Sequence, residues 1–306
     1  MNSLQGKKIG FIGLGKMGKK MVERLLERNW EIVVYDKDEK VRKELAKKGA
    51  IGAETIKDLV ENLSRPRVVW LMVPASVVEE VLFGDDGLVI FLEKGDIIID
   101  GGNSFYLDSI RRQKTLAKKG IEFIDVAVSG GPKGARQGAC LMVGGKKDLF
   151  EKLKPLFKDL AAENGFQFFE GAGAGHFVKM VHNGIEYGMM QAIAEGFNLM
   201  KKSTYKLDLE KVAEIYSHGS VIESKLIKWL KKAFEEHGQD LKEVSGKVGH
   251  TGEGEWTIKT AKKLKVPVKI IEESFKFRVL SGKNPGYTGK ILSVLREQFG
   301  GHKVTK

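Results

Sequence analysis

Through the first half of the chain, apolar residues gather into short continuous runs separated by amphipathic stretches, and past residue 170 that pattern gives way to another. The runs IGFIGLG, EIVVYD, VVWLMVP and DIIIDGGNS read as strands buried on both faces, as in a parallel sheet. Between them KMGKKMVERLLERN, DEKVRKELAKKG and TIKDLVENL carry helical periodicity. Further strands are predicted at EFIDVAV, ACLMVGG and FQFFEG. This alternation predicts a doubly wound α/β domain over residues 1–172. Strand patterning then stops, and long helical segments follow at 175–200, 208–217, 221–236, 254–264 and 268–281. They predict an all-α C-terminal domain over 173–306. The seam between two such domains is a usual place for a ligand.

The first of the long helices is unusual. In GAGHFVKMVHNGIEYGMMQAIAEG, Lys179, His182, Asn183 and Glu186 stand at i, i+3, i+4 and i+7, on one face of an otherwise apolar helix. Phe177, Val178, Met180, Val181, Ile185 and Met189 flank them, and Gly184, Gly188 and Ala192 lie opposite. Glycine inside a helix costs roughly 1 kcal/mol against alanine, so close packing is expected at that back face. With back and flanks packed, a polar face must be solvated, paired or lining a cavity. A wet surface stripe with an accidental histidine and a functional row fit the pattern equally well.

Bulk composition narrows the classes. The chain has 306 residues, of which 42% are hydrophobic, as in a soluble globular protein. The start MNSLQGKKIGFIGLG has no signal-peptide pattern, and no stretch approaches the ~18 apolar residues of a membrane span, so a cytoplasmic protein is expected. The one cysteine, Cys140, excludes an intramolecular disulfide or a cysteine-based metal cage and is expected to be a small core residue. The formal charge of +12 is spread over interleaved Lys and Glu, with no basic tract or aromatic RNA-binding signature. Nucleic acid is therefore not an expected partner, whereas a positive field suited to an anionic substrate is.

Gly13-Leu14-Gly15-Lys16-Met17-Gly18 forms GxGxxG between the apolar strand KIGFI and a helix. Such glycines allow a tight turn, close approach of backbone to a pyrophosphate, and packing of helix on strand. Asp36 ends the second strand at the offset of a ribose-binding carboxylate. Together they predict a Rossmann-like dinucleotide site for NAD, with NADP less favoured because Asp36 would meet a 2′-phosphate with like charge. Farther on, Ser129-Gly130-Gly131 follows a strand and offers main-chain N–H groups and a hydroxyl to an anionic oxygen. By itself it is equally an ordinary glycine turn.

GLGKMG, MVPAS, IIDGGNS, VSGGPKGARQG and GAGHFVKMVHNGIEYGMMQ stand in the order found in decarboxylating 6-phosphogluconate dehydrogenases. GEGEWT, FKFRVLSG and the tail REQFGGH follow, so the resemblance covers essentially the whole chain, at the length of the family's short form. That resemblance implies oxidative decarboxylation of 6-phospho-D-gluconate to ribulose 5-phosphate and CO2, a step of the pentose phosphate pathway. It implies that Lys179 is the general base, Glu186 the general acid, and His182 with Asn183 a substrate-holding pair. Asn103, Ser129, Gly130 and Gly131 match residues near the substrate's reacting end, and Val73, Pro74 and Asn103 match cofactor contacts. Arg278 matches the phosphate arginine, with Tyr187 beside it. Arg296 and His302 match tail residues that in the family arrive from a neighbouring subunit, which implies a homo-oligomer, dimer or tetramer; a solvated C-terminal helix is the plain alternative. No metal is implied.

The chain departs from the long-form pattern at two places. His250 and Thr251 stand where those enzymes carry a phosphate-contacting lysine, and Asp36-Lys37-Asp38 replaces the Asn-Arg-Thr of many NADP-using relatives. The nearest rival reading is another β-hydroxyacid dehydrogenase, of the 3-hydroxyisobutyrate type, which shares GxGxxG, the SGG turn and the helix lysine. Such enzymes typically have Asn-Asn at the positions of His182-Asn183 and lack the tail. A non-catalytic NAD-binding regulator is the rival from another class.

Overall fold

The computed structural model describes residues 6–250 and 252–304, so Thr251 lies outside the described residues. The chain divides into two compact units, Met1–Lys179 and Met180–Lys306. The first alternates strand and helix as its sequence pattern predicts: β1 (Lys8–Ile12), α1 (Gly18–Leu26), β2 (Glu31–Tyr35), α2 (Glu39–Ala46), β3 (Ile51–Gly52), α3 (Ile56–Glu61), β4 (Val68–Leu71), α4 (Val78–Phe83), α5 (Leu88–Phe91), β5 (Ile97–Asp100), α6 (Tyr106–Ala117), β6 (Glu122–Ser129), α7 (Gly131–Gln137), β7 (Ala139–Gly145), α8 (Lys147–Leu160) and β8 (Ala161–Glu170). The strands form one sheet in the order β3-β2-β1-β4-β5-β6-β7-β8.

Why the strands are apolar throughout is visible in the alternation of their side chains. Ile9, Phe11, Ile32, Val34, Val68, Trp70, Ile97 and Ile99 enter a core shared with α1 and α8. Ile12, Val33, Val69, Leu71 and Ile98 enter a second core shared with α3, α4, α5 and α6. Each fully buried aliphatic or aromatic chain of this kind contributes on the order of 1.5–3 kcal/mol, which favours covering both faces.

The sheet is not wholly parallel, as the apolar runs suggested. β6 and β7 pair antiparallel, with Ser129 opposite Cys140, while β7 and β8 are parallel. The seven-residue α7 is too short for the crossover a parallel pair needs, and the fourteen-residue α8 is long enough. Cys140 is exposed, not a core residue, because it points from β7 to the face opposite buried Ala139 and Leu141.

The second unit takes up α9 (Ala174–Lys202), which starts in the first, and continues with α10 (Leu209–Tyr216), α11 (Lys225–His237), α12 (Glu253–Lys263), α13 (Lys269–Ser281) and α14 (Tyr287–Gly300). α11 begins later than the pattern 221–236 suggested, because the Ser224 hydroxyl accepts from the Ile227 N–H and caps it there. α14 is no solvated appendage: Ile291, Leu292, Val294 and Leu295 are wholly buried with Leu230, Phe234 and Phe197. No helix among the described residues is long and apolar enough to cross a membrane.

Candidate active site

In the sheet order, β1 and β4 are neighbours although β2 and β3 intervene in sequence, so the chain reverses its direction of winding between them. The carboxyl ends of strands at such a reversal form a crevice suited to a dinucleotide. The GxGxxG turn follows β1, and Val73-Pro74 follows β4. A Cβ on Gly13 would lie 2.5 Å from the Met72 carbonyl and 2.8 Å from the Val73 side chain, and one on Gly18 would collide with the Gly13 carbonyl. Gly15 has open space where a Cβ would stand and is exposed with Lys16, while Met17 precedes the first turn of α1. The loop thus leaves room for a pyrophosphate at Gly15 and the start of α1.

Asp36 braces this loop. Its Oδ2 accepts from the Leu14 N–H at 2.6 Å and its Oδ1 from the Asp38 N–H at 2.9 Å. A carboxylate has about four lone-pair sites, so two remain for ribose hydroxyls. The residues present therefore fit a nicotinamide dinucleotide. Arg42 donates to the main-chain carbonyl of Asp36 and lies over the Tyr35 ring.

The Asp100–Ser104 loop after β5 carries Asn103, which is exposed. Two side chains one turn apart on α6 support it. Arg112, 2% exposed, donates through one terminal nitrogen to Asp100 Oδ2 and Ser104 Oγ, both at 3.0 Å, and through Nε to Glu79 at 2.7 Å. Ser109 Oγ lies 2.7 Å from Nδ1 of buried His176, whose Nε2 is 3.1 Å from the Gly102 carbonyl. The Glu79 carboxyl is held below its usual range by hydrogen bonds from Arg111 and Arg112, against a smaller opposing effect of burial. Sequence reasoning passed over Glu79, Ser109, Arg112 and His176, since no motif residue names their partners.

At the end of β6, Ser129 is followed by Gly130 at φ 117° and Gly131 at φ 62°, where α7 starts. The backbone at Gly130 requires glycine, and that at Gly131 favours it. Asp125 on the same strand caps α9, accepting from the Gly173 N–H at 2.7 Å and the His176 N–H at 2.9 Å. Burial raises its carboxyl pKa despite these donors. α9 therefore starts from a fixed point, and Lys179 follows His176 by three residues.

Farther along α9, within the second unit, His182 Nδ1 lies 2.9 Å from Asn183 Oδ1 and 3.9 Å from a Glu186 oxygen. Asn183 Nδ2 donates to Glu253 Oε1 at 3.3 Å, both residues being buried. The glycines opposite are packed as expected: a Cβ on Gly184 would lie 2.8 Å from Thr257, and one on Gly188 3.3 Å from Ile270. The expected packing of both flanks fails at Ile185 and Met189, which are exposed, as is Ala192.

Arg278, 3% exposed, places its guanidinium 3.3 Å from the centre of the Tyr187 ring. Burial pulls its pKa down to about 10, partly offset by Tyr187, Glu186 and Glu253 and deepened by Arg296, so it stays charged at neutral pH. Burial likewise lowers Arg296, which feels the same Tyr187, Glu253 and Glu186. Arg278 thus lies over the Tyr187 ring, and both guanidinium groups feel Tyr187, Glu186 and Glu253 of their own chain. α14 packs into its own unit's core, and Arg296 lies with it near Glu186, Tyr187 and Glu253 of the same chain. His302 lies edge-on to Phe299 of its own chain, ring centres 6.5 Å apart. His250 packs against Phe275. Glu253 was missed in sequence although GEGEWT was singled out, because its role shows only through Asn183.

Comparison with known proteins identifies the family. A model of the NAD binding domain of 6-phosphogluconate dehydrogenase matches residues 8–184, and one of the 6-phosphogluconate dehydrogenase C-terminal domain matches 175–290. YqeC of Bacillus subtilis, a provisionally named 6-phosphogluconate dehydrogenase, is 44% identical over 299 residues, covering 98% of this chain and 99% of its own. The NAD(+)-dependent, decarboxylating 6-phosphogluconate dehydrogenase of Haloferax volcanii is 38% identical, covering 97% and 98%. Plasmodium falciparum 6-phosphogluconate dehydrogenase, solved with NADP+ and with 6-phosphogluconate, superposes with a TM-score of 0.83 at 31% identity, over 90% of this chain and 62% of its own. With its nucleotide-binding and C-terminal domains both matched, the chain is an oxidoreductase belonging to the 6-phosphogluconate dehydrogenase family.

Proposed function

We propose that this protein oxidises and decarboxylates 6-phospho-D-gluconate to ribulose 5-phosphate, preferring NAD to NADP. The observation that carries the reading is the pairing of buried Arg278 and half-buried Arg296 near Tyr187, immediately after Glu186 on the helix that also bears Lys179. A small unphosphorylated hydroxy acid, as in 3-hydroxyisobutyrate-type enzymes, offers this pair of guanidinium groups no phosphate, the anion whose geometry two arginines match.

The dinucleotide would be held by Gly13–Gly18, Asp36 and the Val73-Pro74 segment, and its nicotinamide would supply the acceptor for the hydride leaving C3. Lys179 takes the C3 hydroxyl proton as a general base. As an ammonium it then polarises the C3 carbonyl of the keto acid, so that the C1 carboxylate departs as CO2 and an enediol is left. Glu186, two turns along the same face, gives a proton to that carbon, and the ketose results. Asn103 and Ser129, with the backbone of Gly130 and Gly131, orient the reacting end, His182 and Asn183 hold the hydroxyls, and Arg278, Arg296, Tyr187 and His302 take the phosphate. We also propose a homo-oligomer, since Ile185 and Met189 on α9 and Ile270, Val279 and Leu280 on α13 are exposed apolar residues.

The test is NADH formation with 6-phosphogluconate, coupled to CO2 release. Turnover of 3-hydroxyisobutyrate in its place would establish the rival enzyme, and cofactor binding without either activity would establish a regulator.

A further inference from the structure

His176 is 1% exposed and makes contacts through its backbone N–H and both ring nitrogens. Its backbone N–H donates to Asp125 Oδ2 at 2.9 Å, its Nδ1 lies 2.7 Å from Ser109 Oγ, and its Nε2 lies 3.1 Å from the Gly102 carbonyl. A carbonyl oxygen only accepts, so Nε2 carries the proton. In the neutral ring Nδ1 is then an acceptor, and the Ser109 hydroxyl donates to it. Protein groups thus specify one tautomer.

Gly102 is the residue before Asn103, and it is constrained on three sides. Its N–H donates to Asp100 Oδ1 at 3.2 Å, and its carbonyl receives His176. A Cβ there would lie 2.8 Å from the carbonyl of Val73, in the segment after β4. A trans peptide is planar, with C=O and N–H pointing opposite ways. Fixing the Gly102 carbonyl toward His176 therefore fixes the Asn103 N–H away from it and sets the origin of the Asn103 side chain. Because His176 also sits one turn before Lys179 on α9, a single imidazole ties the Asn103 loop to the start of the base-bearing helix.

We propose that His176 is a positioning residue: as the Nε2–H tautomer selected by Ser109, it aims the Gly102–Asn103 peptide at the substrate without touching substrate or cofactor. The reacting-end role of Asn103 rests on the function proposed above; the strut itself does not. Loss of the strut should misalign the reacting end while leaving the phosphate anchors untouched, so kcat should fall and KM should hold.

Three measurements test it. In the wild type, 15N chemical shifts of the His176 ring should report a protonated Nε2 and a bare Nδ1; the opposite tautomer or an imidazolium overturns the proposal. His176→Leu should lower kcat per folded enzyme at least tenfold with the KM for 6-phosphogluconate changed less than about twofold. His176→Gln, whose amide places a donor near the Nε2 position, should recover most of that loss, and Ser109→Ala should fall between. Amide exchange at Gly102, Asn103 and Ser104 should quicken in His176→Leu and not in His176→Gln, with the Asp125-bound amides of residues 173 and 176 unchanged. Unchanged kcat and exchange in His176→Leu, or equal loss in the Leu and Gln variants, would sink it. Should His176→Leu not fold, the ring shifts and the Gln and Ser109→Ala variants decide. Should the wild type not turn over 6-phosphogluconate, the proposed function fails, and the ring shifts and exchange alone decide the strut.

Discussion

The guanidinium carbon of Arg278 lies over the ring of Tyr187, 3.3 Å from its centre, with both residues buried. Such a desolvated cation–π contact is worth about 2 kcal/mol, and it holds the charge where Arg296 also points. Tyr187→Leu should therefore lower the melting temperature and raise the KM for 6-phosphogluconate together. Tyr187→Phe keeps the ring and should keep the melting temperature. Arg278→Lys should raise KM at least about tenfold, since an ammonium cannot reproduce a planar fork stacked on an aromatic. An Arg278→Lys enzyme with wild-type KM would remove the phosphate from this place.

Asp36 has two tasks, one of them invisible in sequence. It holds the Leu14 N–H as well as facing the ribose position, so Asp36→Ser should do more than invert charge preference. The ratio of kcat/KM for NADP over NAD should rise at least about tenfold, while the KM for both cofactors increases because the loop has lost its brace. Wild-type enzyme that used NADP as well as NAD would contradict the like-charge argument directly.

Most of the first unit was legible because its strands are buried on both faces and so advertise themselves as apolar runs. The antiparallel β7 was not, since an apolar run does not encode direction; the length of α7 does. Lys179, His182, Asn183 and Glu186 could be placed on one helical face from spacing alone. Glu253 and His176 could not be given roles, because each acts through a partner some seventy residues away, and spacing carries no information about that pairing. The polar stripe's flanks were misjudged at Ile185 and Met189 for a related reason: apolar character does not say whether the chain's own core or something else covers it.

Buried Glu253 accepts from Asn183, which in turn meets His182. Glu253→Ala leaves the Asn183 amide unsatisfied, at about 1–2 kcal/mol, so kcat/KM should fall roughly 5- to 30-fold. Glu253→Gln preserves an acceptor and should lose much less. Steady-state kinetics on the two variants separates a hydrogen-bonding role from a need for charge, because equal losses would mean that the charge itself is required.

The Glu79 carboxyl has a lowered pKa in the folded chain, chiefly through Arg111 and also through Arg112. An acid whose folded pKa lies below its unfolded value contributes stability that is present above the unfolded pKa, near 4.5, and is lost as pH falls through the folded one. Melting temperature should therefore drop between pH 5 and pH 3, and Glu79→Gln should flatten that part of the curve. The same variant loosens Arg112 beneath the Asp100–Ser104 loop, so kcat should fall even at pH 7, where the carboxylate is fully ionised.

Arg296 is seated among Glu186, Tyr187 and Glu253 of its own chain, which makes a prediction about mixed oligomers. Glu186→Gln and Arg296→Ala variants should each be weak alone. If a neighbour delivered Arg296, hybrids of the two would contain one site with both lesions and one with neither, and activity would return. With Arg296 in its own chain, each site in a hybrid keeps the single lesion of its own subunit. Co-expressed variants, separated by distinct affinity tags so that hybrids are counted, should thus be no more active than the average of the two parents. Recovery toward half the wild-type rate would show that α14 changes partners on assembly and would restore a shared site.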